Sequence, residues 1–290
     1  MLAERSPASR AIALTSFAML AFAGNSILCR LALKQDAIDP ASFTAVRLAS
    51  GALALLVIVG ATRRARNARS GGSFMSALML FLYAACFSFA YVSLDAASGA
   101  LILFGFVQAT MIAVALISGD RPGPSEWGGW LLAAAGLVLL LLPGAAAPSP
   151  AGAGLMALAG IAWGIYSIRG RRERDAMLAT SGNFTRSLLF VALLAFAVFR
   201  ETRWSSSGLV LAAVSGALTS GLGYVLWYSA LRYLTSMQAA LVQLSVPAIA
   251  AAGGVLLLAE PLSMRLIACG AMIIGGICIA LMRKFRRGSA

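Results

Sequence analysis

The sequence predicts an all-α integral membrane protein of ten transmembrane helices, arranged as two inverted five-helix repeats. Three observations predict it. The chain is 60% hydrophobic and 11% charged with a mean hydropathy of +0.88; its apolar residues fall in runs long enough to cross a bilayer; and its two halves resemble one another. A soluble domain carries roughly 25% charged residues, so the composition alone excludes that class.

A hydrocarbon core of about 30 Å takes roughly 20 apolar residues per helical crossing. Charged and turn-forming clusters divide the chain into ten such runs, near residues 10–33, 40–60, 73–93, 97–118, 125–142, 151–169, 178–199, 207–230, 235–258 and 263–284. Membrane strands would alternate polar and apolar residues, whereas Leu137 to Leu142 is unbroken apolar sequence. The first run stays apolar to Leu33 with no small-residue cleavage site, which predicts a retained span and not a signal peptide.

The net charge of +13 is distributed by side. With the N-terminus inside, sixteen of the 23 Lys and Arg fall in inner segments and five (Arg30, Lys34, Arg200, Arg203 and Arg265) in outer ones, leaving Arg47 and Arg186 within spans. That bias predicts a multi-pass protein of the bacterial inner membrane with both termini cytoplasmic, its positive charge touching anionic lipid headgroups and not nucleic acid. Cys29, Cys86, Cys269 and Cys278 all fall in spans without metal-ligand spacing, and the chain has no His. No disulfide framework, no metal and no cofactor is expected. Nor is an enzyme: no imidazole, paired in-span carboxylates, Cys beside a base or phosphate-binding glycine loop is present.

A shift of about 140 residues lays GDRPGPSEWGGWLLAAAGLVLLL (119 to 141) on AEPLSMRLIACGAMIIGGICIAL (259 to 281), setting Asp120 on Glu260 and Gly136 on Gly276. A shift of 139 pairs Arg30 with Arg169 and Arg47 with Arg186. Two units follow, residues 1–145 and 146–290. Five spans is an odd number, so the second unit enters the membrane the other way up. Inverted repeats are the usual build of a secondary transporter, whose site lies near the midplane where the repeats meet.

At these residues the chain resembles the drug/metabolite transporter superfamily, in particular the ten-span EamA type that includes the YddG amino-acid exporters. The matching features are Pro40 with Arg47, Ala162-Trp163-Gly164, the Gln243 to Pro247 spacing, Ala259-Glu260-Pro261-Leu262-Ser263, and Gly270 with Gly276. The first half departs from the pattern, with Val107 opposite Pro247 and Asp120-Arg121 opposite Glu260-Pro261. The resemblance implies export of amino acids or related small metabolites by alternating access; other carriers of the superfamily, for drugs, nucleotide sugars or other metabolites, are the alternative. A membrane sensor or scaffold is a weaker rival, because the loops are too short to form a partner-binding domain. The expected partners are a small-molecule substrate and membrane lipid, with the protein a monomer.

Candidate substrate-binding residues come from polar and aromatic positions repeated in both halves. Ser98 and Gln108 share a face of the fourth span with Gly105, and Gln238 with Ser245 repeats that face in the ninth. Tyr83, Phe87 and Tyr91 recur at spacings of four in the third span, as do Ser220, Tyr224 and Tyr228 in the eighth. Asn25 and Trp163 complete the set of hydroxyls, amides and rings, which suits a small neutral or zwitterionic solute. Each aromatic residue has a second reading, as packing or as an interfacial belt. All ten acidic residues fall in loops or at span ends, so no mid-membrane carboxylate offers itself as a proton relay, which favours uniport.

Pro247 removes an amide and crowds the carbonyl of Gln243, predicting a kink in the ninth span, and Gly253-Gly254 gives a second soft or closely packed point. Pro247, Gly253 and Gly254 are hinge candidates, or else a static kink with tight packing. Ser263 is placed to cap the tenth span, and Glu260 is expected beside that helix's N-terminus; Asp120 and Ser125 occupy matching positions. Arg47 and Arg186 are expected to clamp neighbouring helix ends in preference to binding a substrate carboxylate.

Overall fold

In lipid, every backbone amide must be paired within its own segment, so a chain this apolar resolves into helices and short capped turns. The computed structural model describes residues 7–62, 71–117, 119, 123–142, 147–198, 202–234 and 236–287. The helices are α1 (Pro7–Lys34), α2 (Pro40–Ala61), α3 (Phe74–Ala90), α4 (Ala96–Ile117), α5 (Pro124–Leu141), α6 (Pro150–Gly170), α7 (Ala176–Ala197), α8 (Ser206–Ala230), α9a (Ser236–Gln243), α9b (Ser245–Leu258) and α10 (Met264–Arg287). Each predicted apolar run is helical over most of its length. Among the described residues six helices are long and apolar enough to cross a membrane (from α1, α2, α4, α6, α7 and α8), and four shorter apolar helices accompany them. Among the described residues the one β-bridge, Ile38 with Trp204, joins two loops.

The helix starts follow capping chemistry. Asp39 caps α2 ahead of Pro40, Ser73 caps α3, Ser149 caps α6 ahead of Pro150, Asp175 caps α7 and Ser205 caps α8. Each accepts a hydrogen bond from an otherwise unpaired first-turn amide, and proline at the first helical position gives up no bond. Ser263 Oγ accepts from the Leu266 amide at 3.1 Å, so it caps α10 as its position predicts. Glu260 does something else. It faces the N-terminus of α4, where its Oε2 accepts from the Ala96 amide at 2.8 Å, and its Oε1 pairs with Arg30 Nε at 2.8 Å. The helix dipole argument holds, but the helix is one 164 residues away in sequence. Asp120 and the Ser125 side chain lie outside the described residues.

Small residues let these helices approach closely, which is the main source of adhesion where lipid is as apolar as leucine. α5 and α10 pack along each other. There Gly276 faces the Gly129 carbonyl and Gly136 faces Met272 and Ile273, so the two glycines paired by the internal repeat share one interface. α6 runs against α3 and α4, with Gly160 on the Leu103 carbonyl and Gly164 on Thr110. α2 packs on α7 and on the middle of α8, where residues 215–222 form a π-helical segment. Gly216, within that segment, is seated on the Arg47 carbonyl and the Ser50 hydroxyl. Large apolar side chains such as Leu53, Val57, Leu193 and Phe196 point outward, as a lipid-facing surface requires.

At one end of the bundle the α1–α2 and α7–α8 loops clasp. The Asp39 amide donates to the Arg203 carbonyl at 2.8 Å, the Arg203 amide donates to Asp39 Oδ2 at 2.9 Å, and the Ser205 amide donates to the Ala37 carbonyl at 2.8 Å. Burial alone would raise the Asp39 carboxyl, but the hydrogen bonds it accepts from Ser42, Arg203 and Ala41 outweigh that and hold it below the ordinary aspartate value. A carboxyl depressed in the folded state contributes stability above its unfolded value, near pH 3.9, and loses it as pH falls through the lower folded value.

Two outcomes are expected. Gly216→Val, whose side chain would overlap the Arg47 carbonyl and Ser50, should lower the melting temperature of the purified protein sharply, while Gly60→Ala, in open space, should leave it within error. Acid titration should lower the melting temperature through the low-pH carboxylate range, and Asp39→Ala should flatten part of that fall; identical profiles for the two proteins would remove Asp39 from the clasp's energetics.

Candidate functional site

Where α1, α2, α3, α6, α8 and α9a meet, buried polar side chains gather around one guanidinium. Arg47 is 0% exposed. Its Nε donates to Ser220 Oγ at 2.8 Å, and its Nη2 donates to Tyr224 Oη at 2.6 Å and Tyr83 Oη at 3.2 Å. Its Cζ stands 5.1 Å from the ring centroids of both Tyr83 and Phe87, within cation–π range. The clamp expected of the two in-span arginines describes Arg186, whose Nη1 donates to the Gly71 carbonyl at 2.8 Å just ahead of α3. It does not describe Arg47, which reaches side chains in the interior and no helix end, because α8 approaches α2 through Gly216 and brings hydroxyls within its reach.

Asn25 connects this group to α1. Its Nδ2 donates to Tyr83 Oη at 3.1 Å, and its Oδ1 accepts from Ser215 Oγ at 2.6 Å, with Thr219 and Ser220 hydroxyls at 3.5 Å. Ser215, Thr219 and Ser220 all lie in the π-helical segment, whose wider turn places more side chains on one face than an α-helix allows. Such segments are frequent at functional sites.

Trp163 is the aromatic hub. The close approach of α6 to α4 through Gly160 and Gly164 seats it with ring centroids 4.9 Å from Tyr83, 4.7 Å from Tyr224, 5.2 Å from Phe22 and 5.5 Å from Tyr166. Its indole Nε1 donates to Gln243 Oε1 at 3.3 Å. Gln243 is the last residue of α9a; Leu244 interrupts the helix and α9b resumes at Ser245, the break falling where the Pro247 ring crowds the chain. Apart from the half-buried Thr219, the members of the cluster are buried, so the site is closed to solvent in this conformation.

Of the eight predicted binding residues, Asn25, Tyr83, Trp163 and Tyr224 meet here. Ser98 and Gln108 are buried on α4, with the Ser98 amide donating to Asp95 Oδ1 at 2.7 Å. Gln238 is half-buried, and Ser245 is exposed with its hydroxyl donating to the Val242 carbonyl at 2.7 Å. The seven-residue phase from Gln238 to Ser245 presumes a continuous helix; the break at Leu244 resets it and turns Ser245 outward. Arg47, Gln243 and Ser215 were not among the predicted binding residues. The signal that identifies Arg47 and Gln243 is a long polar side chain deep in an apolar run; Ser215 carries none that stands out from the other small residues of its span.

The hinge candidates are all at close contacts. Pro247 is buried, Gly253 faces Ile27 of α1, and Gly254 has Glu260 Oε2 at 3.0 Å and the Ala96 methyl at 3.3 Å from where a side-chain carbon would stand. Beyond them Arg30 closes one end of the bundle, pairing with Glu260 and donating from Nη1 to the Tyr91 carbonyl at 2.9 Å. At another point Arg169, its partner in the internal repeat, donates from Nε to Ser76 and from Nη2 to Ser73, both at 3.0 Å. Each of the two matched arginines thus reaches into the other half of the chain, Arg30 by an ion pair and Arg169 through hydroxyls.

The sequence is similar to known proteins over nearly its whole length. It is 52% identical over 283 residues to the uncharacterized protein PA1977 of Pseudomonas aeruginosa, covering 98% of each chain. A solved crystal structure shares its fold with a TM-score of 0.67 at 21% identity, covering 97% of this chain and 99% of the other. The model of the EamA-like transporter family matches twice, over residues 9–142 and 150–282. The chain is a multi-pass membrane protein of the drug/metabolite transporter superfamily and belongs to the EamA-like transporter family.

Proposed function

We propose that this transporter exports amino acids or closely related small metabolites across the bacterial inner membrane as a monomeric uniporter. Its ten spans form two inverted five-helix units, residues 1–145 and 146–290, that rock about the central cluster with both termini cytoplasmic. The observation that carries this reading is the make-up of the cluster: Asn25, Arg47 and Tyr83 come from the first unit, Trp163, Ser220, Tyr224 and Gln243 from the second. A solute held there touches both units at once, and that is what couples its binding to their relative motion.

The chemistry suits a zwitterion or a neutral polar solute. Hydroxyl and amide groups supply donors, and the ring faces of Tyr83, Trp163 and Tyr224 suit an ammonium or an aromatic side chain. The cluster is closed here, so the reading requires states in which the rings part towards one side and then the other. Pro247 and the interrupted backbone at Leu244 give the ninth helix a place to bend. Arg30 and Glu260 form a latch that must break for one of those openings.

Efflux of labelled solutes from liposomes containing the purified protein tests the function directly, with drugs, sugar nucleotides and other metabolites in the same panel. Amino acids should move, and Trp163→Phe should reduce the rate severalfold with unchanged membrane abundance; an unaltered rate would remove Trp163 from the path. Phenylalanine is the replacement to use because truncating so buried a ring to alanine costs about 3–5 kcal/mol of stability by itself. Glu260→Gln should raise the labelling of cysteines placed in the cluster from the Arg30 side, and unchanged labelling would refute the latch.

A further inference from the structure

Arg47 carries a charge that it cannot lose, at a point with no solvent contact. The groups around it solvate the charge without neutralising it: three hydroxyls and two ring faces, with no carboxylate. Among the described residues the one ion pair is Arg30 with Glu260, elsewhere in the bundle. One prong of the fork is also unused, since Nη1 is buried and has no hydrogen-bond partner. A buried guanidinium with an orphan donor and no counter-charge is destabilising.

The other arginines show what a purely structural role looks like in this molecule. Arg30 is held by a carboxylate and two carbonyls, Arg171 by the Leu234 carbonyl, Arg186 by the Gly71 carbonyl, and Arg265 by the carbonyls that end α5. Arg169 rests on hydroxyls, as Arg47 does, but it is exposed to solvent. Among the described residues Arg47 alone combines full burial with partners that can rotate away and accept or donate to something else. A carboxylate would satisfy Nη1 and supply the missing charge in one step, and the planar fork matches its two oxygens.

The geometry points to Arg47 as the carboxylate subsite of the transported solute. One carboxylate oxygen accepts from Nη1, and the second accepts from Nη2 as the Tyr83 or Tyr224 hydroxyl yields that donor. This assignment rests on the transport reading above and narrows it. Amino acids and organic monoacids are admitted, while amines, lipophilic cations and uncharged sugars lack the group that the cluster is built to neutralise.

The test compares each solute with its own carboxamide, which keeps the shape and removes the anion. In liposome efflux the amino acid should compete about tenfold or more better than its amide, since a site built to pair a buried group rejects an analogue that leaves it unpaired. A second arm needs no transport: phenylacetate should raise the melting temperature of the detergent-purified protein and phenylacetamide should not. Arg47→Gln should bring acid and amide together in both arms, and Arg47→Lys, which keeps charge but not the fork, should fall between. Equal action of acid and amide on the unaltered protein overturns the subsite without any variant being needed, as does a preference that survives Arg47→Gln, or no thermal shift with any carboxylate. Efflux of nothing in the panel, with the phenylacetate shift intact, would sink the transport reading and leave the subsite standing.

Discussion

The constraint on which the interior depends is that a guanidinium stays charged. Once Arg47 is placed on the inward face of α2, the eighth residue of that helix, polar groups from other helices must come to it, and they do so from α3 and α8. Those groups have their own needs. Tyr83 also accepts from Asn25, which in turn gathers Ser215, and so the first helix is drawn in. Removing any one member leaves a buried donor or acceptor unpaired, at about 1–3 kcal/mol each. The network therefore fixes how α1, α2, α3 and α8 are set against each other more tightly than apolar packing in a lipid-like surround would.

The backbone is shaped to serve that network. The π segment of α8 costs regular hydrogen-bond geometry but brings Ser215, Thr219 and Ser220 onto the Asn25 face. Gly216 and Gly51 let α2 and α8 approach closely enough for the short Ser220 side chain to reach Arg47. In the ninth helix the interruption at Leu244 sets Gln243 at the end of a short helix, where its amide turns inward to Trp163 and back to the Ala239 carbonyl. Irregular backbone inside the bilayer is tolerated where protein surrounds it, and both irregular segments here face the cluster.

Much of the fold was legible because lipid enforces it. Run length, hydropathy and the charged and turn-forming clusters place each helix with its ends within three residues, and Ser263 and Pro247 act where their local chemistry places them. What depends on a partner far along the chain was not. Glu260 was expected at the nearest helix start, yet Arg30 and Ala96 hold it from the first half. Ser245 was assigned by helical phase, which fails across a break. Asn25, Tyr83, Trp163 and Tyr224 converge because each is a bulky or polar residue whose best environment is the interior. Arg47 reads as a clamp in the sequence alone, because a sequence shows its depth but not which neighbours lie within reach.

The position of the charge also bears on coupling. With no carboxylate against Arg47 among the described residues, the empty cluster carries a net positive charge in low dielectric. In a cycle that alternately opens the cluster to either side, each empty passage would return that charge to the closed state, where it is desolvated without an anion. On the proposed carboxylate subsite a bound solute neutralises that charge, so the loaded cluster would pass between the two openings more easily than the empty one. Under that proposal the electrostatics that select the solute would make the uniporter swap one carboxylate for another faster than it returns empty, with net export governed by the slower empty return.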